Sequence, residues 1–162
     1  MNEQDQYWLC QAMQLAAKAE AENEVPVGAL VVYEGQCVGR GWNRAIGSHD
    51  ATAHAEIMAL RQAGQTLGNY RLLHCTLYVT LEPCMMCAGA IIHSRIQRLV
   101  YGAADYKTGA IDSTLQLLAT PGLNHQVIWQ QAEPLAEACA QQLSAFFKRR
   151  RAEKKAGRLK KS

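Results

Sequence analysis

The sequence predicts an α/β protein of three layers, with helices on both faces of a mixed five-stranded sheet. Three observations carry that prediction. Short runs rich in Val, Leu and Tyr, such as residues 27–33 and 74–81, alternate along the chain with longer amphipathic stretches. Two of the runs are separated only by Glu34-Gly35, a hairpin connection, so part of the sheet is antiparallel. The length, 162 residues, is that of one domain able to bury a sizeable core.

Each element has its own signal. Leu9, Met13, Ala16 and Ala17 recur at helical spacing and predict a first helix over about residues 4–22. Val27 to Tyr33 reads as a strand, Glu34-Gly35 as the turn, and Gln36 to Trp42 as the return strand. Asn43 to Ala51 is a polar loop, followed by a helix over about residues 53–64 that closes near Gly64. His74 to Leu81 is a strand rich in Leu, Tyr and Val. It runs into Pro83, which opens a helix reaching about Ser94. Gln97 to Gly102 is a strand and Asp105 to Asp112 a loop, and a short helix then reaches Ala119 before Pro121-Gly122. Gln126 to Trp129 is the final strand. The last helix begins after Glu133-Pro134 and runs into a basic end. No internal repeat is visible.

The net charge of +3 hides an asymmetry: residues 148–162 hold nine of the 17 Lys and Arg and one of the 14 Asp and Glu, a local charge of +8. The first 147 residues carry eight cations against 13 acids, a charge of −5. The expected organisation is therefore a globular domain over residues 1–147 and a basic helix end and tail over 148–162. Such a tail suits a polyanionic partner such as nucleic acid, or is simply a solubilising, frayed helix end. No apolar run is long enough to span a membrane, and Met1 to Gln6 lack both a basic region and an apolar signal core. A cytoplasmic protein without membrane contact is expected. Cys10, Cys37, Cys75 and Cys139 sit among apolar residues and read as buried free thiols.

The chemistry is concentrated in two short motifs, His54-Ala55-Glu56 and Pro83-Cys84-Met85-Met86-Cys87. They offer three zinc-type ligands, His54, Cys84 and Cys87, and one acid, Glu56. A structural zinc site fills four positions with protein ligands, whereas a catalytic site uses three and leaves one for water. Zinc lowers the pKa of bound water to roughly 7, which makes a hydroxide available at neutral pH. Glu56 can take the water's proton, pass it to a ring nitrogen and later protonate a leaving amine. Cys84 and Cys87, three apart, share one face of a helix. His54 and Glu56 are two apart, about 200° around an ideal helix, so they converge on one metal only near a helix end. Thr52 is the expected N-cap. Two helix N-termini should then face one zinc, where dipoles and unpaired N–H groups stabilise thiolates. A redox Cys-x-x-Cys is the alternative for the second motif taken alone. Glu82 is open between a supporting role at the site and a solvated or capping carboxylate.

The order His-x-Glu…Pro-Cys-x-x-Cys, with 26 residues between Glu56 and Pro83, is the pattern of zinc-dependent nucleobase deaminases, a class already described as including tRNA adenosine deaminases. Beyond it the chain resembles bacterial tRNA-specific adenosine deaminases of the TadA type over nearly its whole length. The resemblance runs through residues 24–29, 41–43, 52–57, 69–71, 81–90, 93–96, 107–110 and 121–125. It implies a cytidine deaminase-like fold, a zinc cofactor, and hydrolysis of adenosine to inosine at the wobble position of an arginine tRNA anticodon loop. It also implies a homodimer, an Asn43 that contacts the target nucleoside, and a pocket wall with Val25 and Val27 near the base. From residue type alone Asn43 is equally a turn former. Ala45 and Ala51 depart from the pattern, since bacterial members usually carry proline there, which stiffens the loop.

Phe146, Lys148, Arg149 and Arg150 place an aromatic beside cations, a combination suited to unpaired bases and their phosphates; packing of a Phe onto the core is the competing reading. Asp105 and Lys107 are loop candidates for RNA or dimer contact. Met85, Met86, Ile91 and Ile92 exceed the apolar surface that one metal-facing helix needs, and some of it is available for a subunit contact. Two other functions remain in view. A small-molecule deaminase acting on a free base such as guanine or cytosine would keep the same four residues. A noncatalytic nucleic-acid-binding module with structural zinc is disfavoured by Glu56 and by the count of three ligands.

Overall fold

In the computed structural model, residues 2–161 are described, with side chains through residue 157. The expected layers are present. Helix α1 (Glu3–Ala21) leads into the hairpin β1 (Gly28–Tyr33) and β2 (Gln36–Trp42). Then follow α2 (Ala55–Leu67), β3 (Thr76–Leu81), α3 (Met85–His93), β4 (Arg98–Ala103), a single 3-10 turn (Leu117–Ala119), β5 (Ile128–Gln131) and α4 (Glu133–Lys161). The sheet order is β2-β1-β3-β4-β5. β1 is antiparallel to both neighbours, and β3, β4 and β5 are mutually parallel.

The side-chain period of two splits β1 between two cores. Ala29 and Val31 join Leu77, Val79, Leu99 and Tyr101 beneath α2 and α3. Leu30 and Val32 join Tyr78 and Val100 beneath α1 and α4. Both faces being covered, β1 is apolar along its length rather than alternating. At the turn, Glu34 and Gly35 both adopt positive φ, 49° and 77°, the conformation that matches strand twist in a two-residue hairpin.

One close approach sets the site. A Cβ on Gly41 would lie 2.3 Å from the Ala55 carbonyl oxygen, so only glycine lets the first turn of α2 sit directly on β2. That contact carries the His54 end of α2 over the sheet.

Several boundaries differ from expectation. α2 does not close at Gly64; it ends at Gly68, whose φ of 66° supplies the left-handed cap. β3 starts at Thr76 rather than at residue 74, because His74 takes a φ of 64° that no strand accommodates. Pro83 lies before the N-cap of α3 rather than in its first turn. On α1 the buried line is Asp5, Leu9, Ala12, Leu15, Ala16 and Ala19, whereas Ala17 faces solvent. Cys75 and Cys139 are buried thiols as expected, but Cys10 is exposed and Cys37 half-buried. α4 passes through residues 147 and 148 without interruption, and the side chains of 158–162 lie outside the described residues.

Candidate metal centre and substrate pocket

Both site helices begin on a metal-ligating residue. His54 is the N-cap of α2 and Cys84 the N-cap of α3, and neither side chain makes a capping hydrogen bond. Their donor atoms are turned toward each other instead. His54 Nδ1 lies 3.6 Å from Cys84 Sγ and 3.6 Å from Cys87 Sγ. Tetrahedral zinc with ordinary Zn–N and Zn–S bonds puts those ligand atoms about 3.5–3.6 Å apart. All three ligand atoms fall within 4.8 Å of one another, with no fourth ligand in the cluster among the described residues. The donor set and spacing therefore fit a three-ligand zinc site with one open position. Thr52 is not the N-cap. Its N–H and hydroxyl both donate to Asp50 Oδ1, at 2.9 and 2.7 Å, which closes a turn ahead of the helix.

The orphan N–H of Ala55 is satisfied from a distance, by Asn43 Oδ1 at 2.9 Å. This settles what Asn43 can offer. Its carbonyl oxygen is engaged in capping α2, so the amide NH2 is the group left for the pocket, a donor for an acceptor on a ligand.

Glu56 stands in the first turn of α2 and is 4 % exposed. Burial pushes its carboxyl up to about 7, so both protonation states are accessible near neutral pH. Cys84 is drawn down to about 4, chiefly by a hydrogen bond from Cys87, against burial and with help from His54. The same bond, together with burial, raises Cys87. The hydrogen bond to Cys84 raises His54.

The cavity above the cluster measures about 140 Å³ and is lined by Val25, Val27, Asn43, His54, Glu56, Leu81, Glu82, Cys84, Asp105 and Thr108. Val25, Val27 and Asn43 thus share it with Glu56. Two buried carboxylates that sequence reasoning underused hold its rims. Glu24 accepts the N–H groups of Ile46 at 3.0 Å and Gly47 at 2.7 Å and ties down the 43–51 loop. Glu82 is neither solvated nor a helix cap; it is 2 % exposed and anchors the loop after β4. Burial opposes its ionisation, but hydrogen bonds from Ser113, Asp112 and Asp105 outweigh it and hold the carboxyl below its ordinary range.

A wider groove of about 580 Å³ shares Val25, Leu81, Asp105 and Thr108 with this cavity and extends to Tyr106, Lys107, Leu143 and Phe147. Phe146 is not available for stacking: it is 3 % exposed, because it packs in the core beneath α4. Phe147, its edge-to-face neighbour at 5.4 Å, is 44 % exposed and faces the groove. Arg149 lies over the Phe146 ring and reaches Glu20 at 4.0 Å and Glu153 at 3.8 Å, which docks α4 on α1; Arg150 pairs with Glu153 at 3.7 Å. Lys148 is exposed and makes no ion pair among the described residues.

Residues 2–103, which include every ligand and Glu56, match the model of the family described as the cytidine and deoxycytidylate deaminase zinc-binding region. The chain is 54 % identical over 155 residues to a tRNA-specific adenosine deaminase from Haemophilus influenzae, covering 95 % of this chain and 89 % of that one. A solved structure from studies of A-to-I editing by tRNA:A34 deaminases at the wobble position of transfer RNA superposes with a TM-score of 0.81 at 39 % identity, over 85 % of this chain and 99 % of that one. Guanine deaminase from Bacillus subtilis is 32 % identical, with a TM-score of 0.60 over 93 % of this chain and 95 % of its own. On the zinc-ligand geometry and the breadth of these matches, the chain belongs to the tRNA-specific adenosine deaminases, zinc-dependent hydrolytic deaminases with the cytidine deaminase-like fold.

Proposed function

We propose that the protein hydrolyses adenosine to inosine at the wobble position of an arginine tRNA anticodon loop. The observation that supports this reading best is the continuity of the Glu56 cavity with the groove along α4. A free base needs only the 140 Å³ cavity. A neighbouring groove of about 580 Å³ with Lys107 and Phe147 on its wall suits an unpaired strand that continues past the target base. The relatives named above are consistent with it. Lys107 lines the groove and Lys148 follows the groove residue Phe147 on α4 without an ion pair among the described residues, so these two cations are available for phosphate, whereas Arg149 and Arg150 are partly committed to Glu20 and Glu153.

In hydrolysis the exocyclic amine leaves as ammonia and its place is taken by oxygen from water. His54, Cys84 and Cys87 would hold zinc, which would supply a bound water with its pKa lowered to roughly 7. Glu56 would take one proton from that water and pass it to the ring nitrogen, then take the proton of the hydroxyl added to the ring carbon and pass it to the leaving amine, a task for which a carboxyl near 7 is suited. The Asn43 amide donates to an acceptor on the nucleoside, and Val25 and Val27 exclude water from the base. No helix among the described residues is long and apolar enough to cross a membrane. Activity on tRNA supports a cytoplasmic location.

The test is to incubate the zinc-loaded protein with an arginine anticodon stem-loop, a duplex of the same sequence, free adenosine and free guanine, and to follow inosine and xanthine. Inosine at the first anticodon position of the stem-loop is expected, with little product elsewhere, because a stacked base cannot reach the cavity. Turnover of guanine with an inert stem-loop would replace this reading with that of a free-base deaminase.

A homodimer belongs to the same proposal. Of the four apolar residues on α3, Ile91 is fully buried, Met86 and Ile92 are partly covered, and Met85 is 62 % exposed. Light scattering at micromolar protein is expected to return twice the chain mass of 17.9 kDa, and Met85→Glu to shift the population toward monomer. A wild-type protein that runs only as monomer rules the dimer out.

A further inference from the structure

We propose that Glu82 is a positioning residue that sets substrate affinity by holding the 105–113 loop as one wall of the pocket. The proposal rests on the reading of that pocket as the deamination site. Five hydrogen bonds converge on this one buried carboxylate. Oε1 accepts the N–H of Asp105 at 3.0 Å and the Ser113 hydroxyl. Oε2 accepts the N–H groups of Ile111, Asp112 and Ser113 at 3.1, 2.9 and 3.0 Å. A loop of this length contains many backbone donors, and burying them without acceptors would cost about 1–3 kcal/mol each. A single carboxylate 23–31 residues earlier in the chain satisfies four of them.

The loop carries pocket groups in turn. Asp105 accepts from the N–H groups of Lys107 and Thr108 at 3.0 and 3.1 Å and from the Thr108 hydroxyl at 2.8 Å. Asp105 and Thr108 line both the cavity over Glu56 and the groove beside it. The chain of contacts therefore runs from Glu82 to the Asp105 backbone, then through its carboxylate to Thr108. The opposite end of the loop is sewn to the metal site, since the Ala110 N–H donates to the Pro83 carbonyl at 2.8 Å, one residue before Cys84. Gly109 belongs to the same device. A Cβ there would sit 2.4 Å from the Glu82 carboxyl carbon and 2.5 Å from the Asp105 carbonyl oxygen, so the loop closes over Glu82 only with glycine at that place. Glu82 lines the cavity, but its five hydrogen bonds all go to the 105–113 loop, so its effect reaches substrate through that loop.

Glu82→Gln tests this, because it keeps the shape but turns one oxygen into a donor that faces N–H donors. Wild type, Glu82→Gln and Ser113→Ala are compared as zinc-loaded full chains on the arginine anticodon stem-loop, with zinc content and hydrogen exchange of peptides across 105–113. Glu82→Gln is expected to keep about one zinc, to raise KM about tenfold or more with kcat within about threefold, and to exchange faster in that loop. Ser113→Ala, which removes only the side-chain donor, is expected to raise KM about two- to threefold. An unchanged KM in Glu82→Gln, or a loss confined to kcat and accompanied by loss of zinc, overturns the assignment. Should Glu82→Gln fail to fold, an unchanged KM in Ser113→Ala overturns it alone. The wobble reading fails separately, in the wild-type arm: if that arm converts guanine and not the stem-loop, the same KM comparison is made on guanine.

Discussion

Glu56→Ala is expected to lower turnover by about 10⁴-fold while zinc stays near one equivalent and the fold is kept. The size of the effect follows from what Glu56 alone can do. It is the one carboxylate in the cavity whose burial brings its pKa to about 7, so it can both take and return a proton at neutral pH. The other two carboxylates lining the cavity are occupied: Glu82 by the 105–113 loop, Asp105 by Thr108 and Lys107. Water would have to replace the lost base, and it is less basic and less well placed. Zinc should be retained because the ligand atoms are those of His54, Cys84 and Cys87. Stability should change little, since deleting a buried, strained ionisation removes a cost as well as a contact. Glu56→Gln, of nearly the same volume, should be as inactive as Glu56→Ala; activity within tenfold of wild type in either variant would assign the proton transfer to another group. Metal analysis, circular dichroism and turnover on one preparation decide it.

The largest expected stability effect lies at Asp5, far from the zinc. Its carboxylate is 1 % exposed and receives both Arg98 Nη atoms at 2.7 and 2.6 Å, together with the Tyr78 hydroxyl at 2.6 Å. The first turn of α1 is thereby clamped to β3 and β4. Arg98 holds the Asp5 pKa down at about 2 against burial, with Tyr78 and Asn2 adding to it. A carboxyl whose pKa is lower in the folded state than the ordinary 3.8 contributes stability that is present above about pH 4 and lost as pH falls toward 2. That contribution is about 2 kcal/mol. Asp5→Asn also leaves the partly buried Arg98 without its counter-charge, so a loss of about 3 kcal/mol is expected at pH 7, with Tm lower by roughly 6–12 °C. Chemical denaturation of both proteins should show that gap unchanged down to about pH 5 and narrowing below it. A gap under about 1 kcal/mol, or one that does not narrow in acid, would mean the clamp is dispensable.

The parts of this protein that were legible in its sequence are those whose chemistry depends on residue type at short range. His54 and Glu56 are two residues apart and Cys84 and Cys87 three, so their ability to meet one zinc could be read from helix geometry. The hairpin at Glu34-Gly35 and the apolar runs of β1, β3 and β4 declare themselves for the same reason, since turn preference and strand period are local. Capping was misjudged at Thr52 because local preference competes with ligation: His54 takes the N-cap place, and Asp50 captures the threonine hydroxyl. Which Phe of the pair at 146 and 147 meets solvent could not be read, since one residue along a helix is a turn of about 100° and only the packing of α4 on α1 sets the zero of that angle. Nothing local marked Asp5 or Glu24 as buried, Glu82 was open between supporting the site and a solvated or capping carboxylate, and Asn43 was equally a turn former by residue type. Their partners lie 93, 22–23, 23–31 and 12 residues away. Sequence alone determined the metal and the order of layers; tertiary structure alone decided which buried polar groups hold the pocket. A buried carboxylate is stable only where enough donors converge on it, and that convergence exists only once distant segments have been brought together.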